Sequence, residues 1–258
     1  MATAKSRGQV DATDIAPFTS LSKPQLVALL HSTLAIERTC AAVLLADSQD
    51  SVVVDFLCQR LLIEKKLYTK IALCESLISH GALSIAPLVK LLGRVGDNQE
   101  TSIPVTGFYK ISYPLPRDIA ARTICRLGSI AIAPLEGFMD TASDLRSIAQ
   151  ALDAYGHIIY TLHLEHPIAF LHRLYDRHAD HPILKYKIAR CLCGFRDEYS
   201  RSILFNLLQT GEAGYQLIAL RSLLLSGARI PQHIVDTFND ELRKLHAFLT
   251  KKSVGVRV

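Results

Sequence analysis

The 258-residue chain is 49% hydrophobic and 21% charged, with thirteen glycines and ten prolines. That balance excludes an intrinsically disordered chain and gives enough apolar material for one extended domain. A net charge of +5 suits an acidic partner but falls short of the basic footprint that marks a nucleic-acid binder.

Residues 1–20 read as a flexible arm anchored by Ile15 and Phe18. Its first eleven residues are polar, with no apolar stretch after the basic ones, unlike a secretory signal. From Leu21 a helical period takes over. Ser22 is a fitting N-cap ahead of Pro24, and Leu26, Leu29, Leu30 and Leu34 recur at three- and four-residue spacing. Further helices are predicted over residues 35–46, 51–63 and 66–80. The next pair begins at 83–92, but its second member does not arrive until about Arg117.

Between them lies an insertion, residues 94–116, with prolines at 104, 114 and 116. Val105, Phe108, Tyr109, Ile111 and Tyr113 give it an alternating character that predicts a short hairpin turning near Thr106-Gly107. A loop of this length in a compact domain folds locally or is functional. Helices then resume over 117–127, 132–139, 142–155, 167–178, 182–195, 199–209, 213–226 and 231–249, and 251–258 form a basic tail with Lys251, Lys252 and Arg257. Gly81, Gly128, Gly156, Gly211 and Gly227 are expected to close helices. No run of about eighteen uninterrupted apolar residues occurs, so no membrane span is expected. The six cysteines all fall in apolar helical segments and read as reduced thiols, in keeping with a cytoplasmic protein.

One phrase occurs twice. His80-Gly81-Ala82-Leu83-Ser84-Ile85-Ala86-Pro87-Leu88 and Leu127-Gly128-Ser129-Ile130-Ala131-Ile132-Ala133-Pro134-Leu135 keep the same glycine-to-proline spacing. The glycine ends one helix in a left-handed backbone and the proline fits the first turn of the next. A second phrase, small-x-small-aliphatic, marks the second helix of each pair. It reads Cys74-Glu75-Ser76-Leu77, Ala121-Arg122-Thr123-Ile124, Ala149-Gln150-Ala151-Leu152 and Ala189-Arg190-Cys191-Leu192, with looser copies at 220–223 and 41–44.

These phrases resemble HEAT-like repeats, in the variant associated with phycobilin lyases, over about residues 21–250. The resemblance implies an all-α fold: a right-handed superhelical solenoid of about six helix pairs, interrupted by the inserted loop or hairpin. Its second helices would line a concave face, each pair touching its neighbours alone.

The middle position of the small-x-small phrase must point away from its buried neighbours. It is Glu75, Arg122, Gln150, Arg190 and Arg221 in turn, and Arg126, Arg146 and Lys187 lie within a turn of these. The result is a mostly basic ridge suited to a carboxylate-rich segment or a phosphate backbone. A plain solvated face with local ion pairs, such as Asp118 to Arg122, accounts for the same pattern. In the insertion, Phe108, Tyr109 and Tyr113 set rings beside Lys110, either to bind a partner or to pack the insertion on its own repeat. His157, His163, His166, His172, His178 and His181 cluster in sequence, but no cysteine or carboxylate pair completes a metal-ligand pattern, so cap and surface histidines are expected and no metal or cofactor. No nucleotide-binding, hydrolase-elbow or zinc-protease motif occurs.

The expected role is therefore a non-enzymatic interaction scaffold holding an acidic segment of another protein on the ridge. Two alternatives follow from repeat similarity: a nucleic-acid-binding, alkylpurine-glycosylase-like protein, and a bilin lyase or pigment-protein chaperone.

Overall fold

A computed structural model describes residues 3–164 and 168–254. Among these all regular structure is helical, with no strand. It divides into two units, Met1–Asn98 with Asp118–Pro134, and Gln99–Arg117 with Leu135–Val258.

In the first unit the N-terminal residues make helical turns at Lys5–Arg7, α1 (Ala12–Ile15) and Ala16–Phe18. Gly8, at φ +87°, lies against the hydroxyls of Thr39 and Thr69, where any Cβ would collide. Asp11 caps α1 by accepting from the Thr13 and Asp14 amides. Then come α2 (Lys23–Leu29), α3 (Ala35–Leu44), α4 (Ser51–Ile63), α5 (Leu67–Ser79), α6 (Ile85–Val89) and α7 (Ile119–Leu127). Ser22 does start α2: the Gln25 side chain accepts from both its amide and its hydroxyl. Helix α6 is shorter than predicted, because Gly81–Ser84 coils as a tighter turn before it. Asp118 is fully buried and caps α7, accepting from the Ala121 amide at 2.9 Å and from Gly93 at 3.0 Å.

Helix α5 packs on α3, α4 and α7. Leu77 and Ile124 are wholly buried, as the repeated phrase requires. In α3 the register differs by one: Ala41, Ala42 and Leu45 are buried, whereas Leu44 is half-buried and Val43 exposed. The middle positions Glu75 and Arg122 are exposed.

The second unit holds α8 (Ile132–Thr141, its residues from Leu135 on), α9 (Leu145–Leu162), α10 (Ala169–Arg177), α11 (Pro182–Cys191), α12 (Glu198–Thr210), α13 (Ala213–Leu225), α14 (Gln232–Val235) and α15 (Asp240–Val254). Helices α9, α11, α13 and α15 lie side by side in that order, with α10 against α11 and α12 against α13. Leu152, Leu192 and Leu223 are completely buried along this row. The predicted single helix over 231–249 is two, because Asn239 accepts from the Leu242 amide and starts α15 afresh.

Gly156 does not close a helix; it lies inside α9. An added Cβ would overlap the Tyr113 hydroxyl and come within 2.7 Å of Cys191 Sγ. Glycine is there so that a tyrosine from the insertion can reach the helix backbone. The insertion is not a hairpin: Gln99–Arg117 runs without strand pairing as a strap over the helix row.

Candidate functional site

The strap and the helices beneath it form the site. Gln99 Oε1 accepts from Arg146 at 2.6 Å, and the Glu100 carboxylate pairs with Arg190. Gly214 in α13 has no Cβ to block Ile103 and the Pro104 carbonyl, which approach its backbone. The Gly107 amide and the Tyr109 hydroxyl both donate to Glu241 of α15, at 2.9 and 2.7 Å. Tyr109 also meets Phe248 edge-on. Further along, Tyr160 donates to the Ile111 carbonyl at 2.7 Å, and Arg221 Nη2 donates to the carbonyls of Lys110 and Ser112 at 3.2 and 2.7 Å. Tyr113, four residues before the end of the strap, is buried against Gly156 with its hydroxyl 3.5 Å from Cys191. Burial pushes the Tyr113 phenol well above its ordinary value, so it stays neutral. Tyr113 is therefore a packing residue, while Phe108 and Tyr109 stay partly exposed.

Under the strap four of the residues predicted as a ridge are interior, whereas Arg146 is exposed. Gln150, Lys187, Arg190 and Arg221 are 1%, 0%, 5% and 1% exposed. Two carboxylates account for part of their charge. Lys187 donates to Asp153 at 2.7 Å and to the Ala149 carbonyl, and Arg190 donates to the other Asp153 oxygen at 3.2 Å. Burial works to lower the Arg190 pKa, but Asp153, the stacked Tyr186 ring and Glu100 prevail and hold it well above the ordinary value. Buried ions cost several kcal/mol each unless so paired.

Arg221 differs. Its guanidinium lies under the Phe108 ring, centroid 5.1 Å away, and no carboxylate pairs with it among the described residues. Nε and Nη1 have no hydrogen-bond partner. Burial lowers its pKa. A cavity of about 360 Å³ opens beside it, lined wholly within the second unit.

Of the expected ridge, Arg122 and Arg126 belong to the first unit, and both are exposed. Arg126 pairs with Glu75 across α5 and α7. Arg146, Gln150, Lys187, Arg190 and Arg221 come together in the second unit with Phe108, Tyr109 and Tyr113. Sequence reasoning missed Asp153 and Glu100. Asp153 lies three residues past Gln150 on α9, so it shares that helix face, and Glu100 is a carboxylate in a segment opposite several arginines.

Among the described residues the histidines form no metal-ligating group. His163 caps the end of α9 in a left-handed backbone, and His178 and His181 flank the α10–α11 turn. Glu165, His166, Pro167 and Arg257 lie outside the described residues. Among the described residues no three His, Cys, Asp or Glu side chains are placed to hold a metal. His172 Nε2 lies 3.1 Å from Ser200 Oγ and 3.4 Å from Asp197, so both neighbours use one nitrogen, whereas a Ser-His-Asp relay uses opposite nitrogens. The thiols of Cys191 and Cys193 are pushed up to about 12 by burial, far from nucleophilic. Among the described residues no helix is long and apolar enough to cross a membrane.

No protein-family model matches the chain, and no curated protein matches it in sequence. The class that its helices define is an all-helical protein with side-by-side helix rows, compatible with an α-solenoid.

Proposed function

We propose that the protein is a non-enzymatic, cytoplasmic interaction module: a right-handed HEAT-like solenoid of about six helix pairs whose cationic helix face receives an acidic segment of another protein. The rows α3–α5–α7 and α9–α11–α13–α15, with their buried small-x-small phrases, support the repeat reading. One observation carries the partner chemistry. The second unit already holds an extended stretch of its own chain on that face, with Glu100 on Arg190, Gln99 on Arg146 and two strap carbonyls on Arg221. A partner with carboxylates at matching spacing would engage the same donors in place of the strap. Charge-assisted pairs of this kind, shielded from water, are the strong ones.

A labelled Glu-rich peptide titrated against the full chain and against a variant with residues 96–113 replaced by a Gly-Ser linker tests this. Removing the strap should tighten binding about tenfold, and Arg190→Gln in that variant should reverse the gain. Equal affinity for the two proteins, at matched ionic strength, counts against the partner reading.

A further inference from the structure

The cavity beside Arg221 has a charge pattern that the strap contacts do not use up. Lys110, Arg117 and Arg221 all line it. The two carboxylates in its wall, Glu100 and Asp153, are engaged by Arg190 and Lys187. None of the three remaining cations forms an ion pair among the described residues. Arg221 is 1% exposed and keeps two nitrogens without acceptors, an arrangement that is unfavourable for a charged donor. Phe108, Leu217 and Ile218 add an apolar part to the wall. Pockets for small ligands begin near 300 Å³, and about 360 Å³ holds roughly a dozen non-hydrogen atoms.

We infer that this cavity is a binding site for a small organic anion, a carboxylate or phosphate monoester on a compact apolar or aromatic body. The anionic end pairs with Arg221, as Phe108 shifts off the guanidinium, and with Lys110 and Arg117 at the rim. The apolar body lies against Leu217 and Ile218. This does not rest on the acidic-partner reading: the small anion enters with the strap in place, whereas an acidic protein segment takes the strap's position.

The test uses the full chain and three probes of one size: 3-phenylpropionate, phenyl phosphate and the neutral 3-phenylpropionamide, followed by saturation-transfer NMR and thermal shift. Both anions should bind and displace one another, and the amide should bind at least about tenfold more weakly. Lys110→Glu with Arg117→Glu, both exposed positions, should weaken the anions about tenfold and leave the amide unchanged. Arg221→Met should abolish anion binding. If that buried variant does not fold, the exposed pair carries the test alone. Equal binding of amide and carboxylate, anion affinity unchanged in the Lys110/Arg117 variant, or no binding of either anion at about 10 mM overturns the site.

Discussion

The same position of one repeated phrase meets two fates. In the first unit it is Glu75 and Arg122, both exposed; in the second it is Gln150, Arg190 and Arg221, each no more than 5% exposed. The helices are alike and the covering differs: Gln99–Arg117 lies over the second row. Buried arginines differ between the units as well. Arg38 in the first gives Nε and Nη2 to the two oxygens of Glu64, at 2.8 and 3.0 Å, and Nη1 to the carbonyls of Ser32 and Thr33. Arg60 and the amides of Lys65 and Lys66 complete the Glu64 shell. Arg221 in the second keeps two nitrogens unmet. A guanidinium paired with carboxylates, as Arg38 and Arg190 are, holds structure together, and one left without a counter-charge and partly unanswered beside a cavity points to a ligand.

The largest expected effect separates those two arginines. Arg38→Met takes two hydrogen bonds from buried Glu64 and leaves Arg60 as its ion partner, and should cost about 2–4 kcal/mol, read by urea unfolding. Arg221→Met removes an ion that already lacks a counter-charge but also the donor to the Lys110 and Ser112 carbonyls, and should cost less, about 1–2 kcal/mol. Equal costs would erase the distinction. The Glu64 carboxyl sharpens it further. Burial alone would raise its pKa, but the Arg38 hydrogen bonds, the Lys66 amide and the charges of Arg38 and Arg60 lower it from 4.5 to about 2. Folding therefore gains from its ionised form above about pH 4.5 and loses that gain as pH falls toward 2. Glu64→Gln should flatten this acid limb of the stability curve.

Next comes the covering itself. Gly156→Ala puts a methyl group where the Tyr113 hydroxyl lies, and should cost about 1–3 kcal/mol through overpacking. Tyr113→Ala should cost a similar amount by opening a cavity, yet the double variant should cost less than the sum, because the methyl fills part of the space. Strict additivity would mean that the strap does not bear on α9 through this pair.

How much of this was legible beforehand follows from the range of the interactions. Helix starts at Ser22, Asp50 and Asp118 are local, and the leucines at 77, 152, 192 and 223 follow from a phrase a few residues long, so their burial could be read directly. Gly156 looks like a terminator in the sequence because its reason, Tyr113, lies outside its own repeat. The ridge looks like a surface for a like reason. Helical spacing correctly points Arg190 and Arg221 away from their own core, but it cannot say that the insertion returns to cover them. The pairings of Glu100 with Arg190 and of Glu241 with Gly107 span 90 and 134 residues, and no local pattern encodes them.

Two surface carboxylates, Glu75 in an ion pair and Glu241 accepting hydrogen bonds from neutral donors, should matter least to stability and still distinguish the units. Arg126→Gln breaks the exposed pair with Glu75 and should shift the unfolding free energy by no more than about 0.5 kcal/mol. Glu241→Ala should leave the unfolding midpoint unchanged, since its carboxylate is at the surface, but it removes the acceptor for the Gly107 amide and the Tyr109 hydroxyl. The Gly107 amide should then exchange its hydrogen faster while amides in α9 and α11 keep their protection, because local opening is set by local contacts. The hydrogen bonds from Gly107 and Tyr109 hold the Glu241 carboxyl below its ordinary 4.5, so the clamp is complete above that pH and is lost as pH falls through the lowered value. Protection at Gly107, corrected for the intrinsic pH dependence of exchange, should fall on acidification in the native chain and stay flat in Glu241→Ala. A pH-independent Gly107 in both proteins would show that Glu241 does not clamp the central turn and that the strap is held by its other contacts, those of Glu100, Tyr113, Tyr160 and Arg221.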